Sequence, residues 1–159
     1  MTAIMSWLEW CSNTSTIVFI RDSSFGMPAV QSVHLVGLTV LLAAILVLNL
    51  RLAGVTMMDW RLAEVERQLR PWAWVGATLV LASGAVMFLG NPAKYLANPA
   101  FQLKMASLAL AMLCQFGVFR SFFRSEPGVR PRTANLVVAA LSLTFWFAVG
   151  WAGRAIAFV

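Results

Sequence analysis

The chain has a single imidazole, that of His34, and it lies inside the apolar run 28–50, PAVQSVHLVGLTVLLAAILVLNL. It stands six residues in from Pro28, roughly 9 Å below the start of a helix that rises about 1.5 Å per residue. Ionisable groups at such depth are costly and usually serve a ligand or a partner group. Two cations can join it: Lys104, a turn into the run 100–119, and Arg154, a turn from the end of the run 134–157. The three suit a haem b, with His34 on the iron and Lys104 and Arg154 on the propionates. They also suit a quinone or lipid head group that takes hydrogen bonds from His34 and Lys104. With one histidine, bis-His ligation within one subunit is impossible. A haem iron here would be five-coordinate, or would take Met, water or a second subunit. Copper is a poor fit, since Met27 and His34 make too small a donor set. Against all of these stands a structural role. Lys104 and Arg154 are close enough to their helix ends to snorkel to the headgroups, and His34 can bond a carbonyl or serine hydroxyl on a neighbouring helix.

Other chemistries find no footing. Cys11 and Cys114 are far apart and neither belongs to a CxxC pair, so neither a disulfide framework nor a zinc site is supported. Ser32 and His34 are two apart and point to different faces of a helix, which disfavours a Ser–His–Asp hydrolase. No GxSxG, P-loop or dinucleotide fingerprint is present.

The elements that must position these residues follow from hydropathy. The chain is 60% hydrophobic and 11% charged, with mean hydropathy +0.79. A soluble domain is nearer half apolar and a quarter charged, so the excess must face lipid. The expected fold class is an all-α integral membrane protein, a four-transmembrane-helix up-down bundle with an N-terminal interfacial helix. Residues 1–27 are the interfacial segment, carrying Trp7, Trp10 and Phe19. Residues 28–159 are the transmembrane domain, with spans at 28–50, 71–90, 100–119 and 134–157. Asn49 ends the first span at the water boundary. Residues 51–70 form a connection whose alternating charges support a short, solvated helix. Pro71 opens the second span, in which Gly76, Ala77, Ser83 and Gly84 allow close helix contact. Residues 91–99 form a turn with two Asn-Pro pairs, and 120–133 form a second basic connection.

The net charge of +6 does not call for nucleic acid, because the basic residues sit in short connections between apolar runs. Arg51, Arg61, Arg67, Arg70, Arg120, Arg124, Arg130 and Arg132 share one side of a four-span chain. That side is cytoplasmic by the positive-inside rule, and both termini face the periplasm. The N-terminus has no basic start and no cleavage site, so no cleaved signal peptide is expected.

The stretches IRDSSFGMPAVQSVHLVGL, LNLRLAG, LRPWAWVGATLVLASGAVMF, NPAFQLKM and LSLTFWFAVGWAGRAIAF together resemble a family of small four-helix bacterial membrane proteins classed as a domain of unknown function. The resemblance implies the four-span fold and a bacterial inner membrane, and no activity. The chain is also distantly similar to HemJ-type membrane protoporphyrinogen oxidases and CopD-type copper-resistance proteins. Those share an early-helix His, a following Arg and a Lys opening a later helix, an outline that His34, Arg51 and Lys104 match. Haem-binding relatives carry a second histidine on the helix that the Lys opens, where this sequence has Cys114, Gln115 and Phe119. The leading expectation is a non-catalytic accessory subunit that packs with protein partners, or with copies of itself, in a larger energy-converting membrane complex. The rival is a haem b- or quinone-binding redox protein using His34.

Overall fold

The computed structural model describes residues 2–124 and 130–156. Ala157, the expected end of the fourth span, lies outside them. The regular secondary structure of the described residues is all helical, with no strand among them. Four helical stretches are long and apolar enough to cross a membrane: Gly26–Leu52, Leu62–Gly90, Pro99–Phe123 and Arg132–Ala155. At most 33% of the most apolar window of each is buried inside the protein. The remaining apolar surface faces outward, as in a multi-pass membrane protein.

Two short helices come first, α1 (Thr2–Ser12) and α2 (Ser15–Asp22). They pack against α3 (Gly26–Leu52) and α4 (Leu62–Gly90). A helix α5 (Pro92–Ala97) then leads into α6 (Pro99–Leu113). Each Asn-Pro pair read as a turn starts a helix instead. Asn98 Oδ1 accepts from the Ala100 and Phe101 amides at 2.9 and 3.2 Å, and Asn91 Oδ1 accepts from Lys94 N at 3.2 Å. Asparagine is a strong N-cap, and proline at the first helical position gives up an amide that has no partner there anyway. After α6 comes one π-helical turn, Cys114–Val118, closed by a Phe119 N to Cys114 O bond of 2.7 Å, then α7 (Arg120–Phe123) and α8 (Arg132–Ala155).

The most extensive pairing is α3 with α4, followed by α6 with α8, and α3 also meets α8. In the first pair Gly37 and Gly76 let the backbones touch. A Cβ on Gly76 would lie 2.6 Å from Leu41 N and 2.9 Å from Gly37 O. Leu41, Ile45, Ala73, Ala77, Val80, Ala111, Trp146 and Val149 fill the core between the helices. A second apolar cluster joins Leu48, Leu52, Leu62 and Val65 to Phe119, Phe123 and Val138.

The connection expected at 51–70 is much shorter. The helix begins at Leu62 and runs through Pro71, which is an interior residue rather than the first. Pro71 has no N–H for the Arg67 carbonyl, an omission a long, well-packed helix tolerates. Charge alternation concealed this start, because the buried residues Leu62, Val65 and Glu66 are spaced as one helix face. The solvated connecting helix is therefore corrected to the packed first turns of α4. Arg51 holds what is left of the connection, donating from Nε and Nη2 to the Trp60 carbonyl at 3.0 and 2.7 Å.

Candidate functional site

His34 on α3 is half-buried and faces α4, where its Nδ1 lies 2.9 Å from Ser83 Oγ. Ser83 has one hydroxyl hydrogen, and it goes back to the Leu79 carbonyl of its own helix. The oxygen can then only accept from the imidazole. With that hydrogen committed, Nδ1–H is the donor that suits the contact, and in a neutral ring Nε2 then keeps its lone pair. Gly84 makes the approach possible, since a Cβ there would stand 3.4 Å from His34 Cε1.

Lys104 reaches this group from α6. It is close enough for its charge to act on the imidazole. Its stem crosses to α8 at Gly153, where a Cβ would meet Lys104 Cε and Nζ at 3.5 Å. Arg154, next along α8, is exposed. The three sequence-named residues thus belong to one end of the helix bundle: His34 and Lys104 as electrostatic neighbours, Arg154 on its surface. Arg51 is not with them. It lies 17 residues along α3 from His34, about 25 Å at the helical rise. Met27 packs on Gly90 at the start of α3. Among the described residues no three His, Cys, Asp or Glu side chains gather to hold a metal ion.

At the other end lies a polar group that the hydropathy reading did not isolate. Asn49 was assigned to the water boundary, yet it is fully buried. Its Nδ2 donates to Ile45 O at 2.8 Å and to Ser142 Oγ at 3.0 Å, and Ser142 donates to Gln115 Oε1 at 2.6 Å. The hydroxyl thereby joins three helices. The π turn is what carries Gln115, itself buried, into this position. Asn49 Oδ1 and Trp146 Nε1 are buried without a hydrogen-bond partner among the described residues. Glu66, expected on a solvated face, is also buried and pairs with Arg124 at 3.8 Å rather than with Arg70, four residues on along its own helix. The signal available in sequence was the presence of polar residues inside apolar runs; their partners were not readable.

No curated protein and no solved structure matches the chain at a significant level. A family model does match over residues 7–159, and the chain belongs to that family, described as "Family of unknown function (DUF6644)".

Proposed function

We propose that the chain is a small accessory subunit of a larger membrane redox assembly, and that it holds a haem b or a quinol against His34 rather than catalysing a reaction alone. The observation that carries this reading is the orientation of the imidazole. With Nδ1–H given to Ser83, the Nε2 lone pair is free to ligate iron or to accept from a quinol hydroxyl. Lys104 supplies the ammonium that a propionate or a quinone oxygen would take. Arg154 adds a second cation at the same end. The positions of His34 and Lys104 in the sequence also resemble the outline of HemJ- and CopD-type proteins, a resemblance of sequence pattern only.

In this reading the four long helices cross a bacterial inner membrane in up-down order. The basic connections lie in the cytoplasm and both termini in the periplasm. The exposed Trp7 and Trp10 of α1 and Phe19 of α2 support an interfacial position for these two helices, since aromatic rings prefer the headgroup level.

The test is an absorption spectrum of the purified protein, oxidised and then dithionite-reduced, together with chromatography of the co-purifying quinones. A Soret band with reduced α and β bands, or a stoichiometric quinone, is expected, and His34→Ala should abolish it. Equal retention by the variant, or neither cofactor in the wild type, would overturn the proposal.

A purely structural subunit is the second reading, and Gly150 favours it. It lies on α8 between the exposed Phe147 and Trp151, and a Cβ there would meet nothing within 4 Å. Such a notch admits a helix of a partner or of a second copy. Co-purification in mild detergent tests this; a monodisperse monomer without partners argues against it.

A further inference from the structure

A cavity of about 230 Å³ opens between α4 and the third long helix, at the end of the bundle away from His34. The two helices part here. Ala44, Ile45 and Leu48 of α3 form the floor, and Trp74 and Phe116, with ring centroids 4.6 Å apart, form one wall. The polar lining is Glu66, Arg70, Gln115 and Arg120.

This lining is made for an oxyanion. Glu66 is already engaged by Arg124 at 3.8 Å. Arg70 and Arg120 have no ion-pair partner among the described residues. Ser142 occupies Gln115 Oε1, so what this lining residue has left to give a ligand is its amide N–H donors. Two guanidinium forks and an amide match the oxygens of a phosphate. The volume falls below the roughly 300–1,000 Å³ of pockets for drug-sized ligands, so a head group fits and a macrocycle does not. Depth adds to this. Arg70 immediately precedes the apolar run of α4, and Arg120 immediately follows that of the third long helix. Both therefore stand at the level of lipid phosphates, with Trp74 and Phe116 one turn deeper, at acyl-chain level.

We propose that this cavity binds a phosphate oxyanion carried by an anionic phospholipid, held by Arg70, Arg120 and the Gln115 amide, with the lipid chain over Trp74 and Phe116. Net positive charge without a free carboxylate selects a head group that lacks a compensating ammonium.

The test is native mass spectrometry of the full chain released from detergent with phosphatidylglycerol, phosphatidylethanolamine or phosphatidylcholine. Phosphatidylglycerol should bind at least tenfold more tightly than either zwitterionic lipid. Arg70→Gln with Arg120→Gln should remove that preference. Arg132→Gln, away from the cavity, and His34→Ala, in the other site, should keep it. Addition of inorganic phosphate separates the two sources of the anion: no displacement assigns the site to lipid, and displacement at millimolar concentration assigns it to a soluble phosphate. Equal binding of all three lipids by the wild type would overturn the proposal even if the double variant fails to fold. Unchanged preference in a folded double variant would overturn it as well.

Discussion

At the scale of the residue, the Ser83 hydroxyl matters as much as the imidazole it meets. A ring without that partner could exchange its proton between Nδ1 and Nε2 and rotate away from any ligand. The partner of a ligating histidine is commonly worth about 10–100-fold in affinity. Ser83→Ala should therefore weaken cofactor retention by that factor and leave the helices intact, since Ser83 otherwise bonds only its own helix. Titration of cofactor into the stripped protein measures this, and equal affinity would show that Ser83 does not orient the ring. His34 was legible in the sequence because a lone imidazole in an apolar run stands out. Ser83 was legible only as a small residue, since serine within an apolar run is chemically silent until its neighbour is known.

At the scale of the element, the contact of α3 with α4 depends on two glycines. The atoms a Cβ on Gly76 would strike belong to the backbone of Leu41 and Gly37, which cannot rotate aside. Gly76→Ala must push the helices apart, and overpacking of this kind costs about 1–3 kcal/mol. Gly150→Ala enters open space and should stay within about 0.5 kcal/mol of the wild type. Unfolding in mixed micelles compares the two, and equal stabilities would contradict the close approach. The spans themselves were readable to within a few residues where apolar runs met Asn-Pro or Gly. The start of α4 was not. A proline preceded by charges reads as a boundary, whereas packing of Leu62 and Val65 on Phe119 and Phe123 carries the helix back past it.

Across the whole molecule, the Asn49–Ser142–Gln115 chain ties α3, α8 and the third long helix together in the buried interior. Ser142→Ala leaves Gln115 Oε1 without its donor and one Asn49 N–H without an acceptor. Hydrogen bonds between membrane helices average about 0.6 kcal/mol and reach about 1.7, so losing two should cost about 1–3 kcal/mol. A double-mutant cycle with Gln115→Leu should show coupling, and strict additivity would mean the chain does not act as a unit. Orientation is a second molecular property. Met58 is exposed in the connection after α3, so in a chain with Cys11 and Cys114 replaced by serine a thiol introduced by Met58→Cys should react with a membrane-impermeant maleimide only after the cytoplasmic face is opened. Labelling of intact cells would reverse the topology.

Composition and hydropathy alone determined that this is a helical chain with four bilayer-length runs, where the runs lie, and that its one imidazole falls inside the first of them. These properties sum over neighbours along the chain, so local sequence contains them. The tertiary structure alone decided which polar groups meet: Asn49 with Ser142, 93 residues away, Glu66 with Arg124, and His34 with Ser83. It also separated Arg51 from His34 and opened the cavity beside Arg70 and Arg120. The physical reason is that helices apolar on every side carry no stripe to show which face turns inward. Their rotation is set by close backbone contacts such as Gly37 on Gly76, and only that rotation brings distant side chains together.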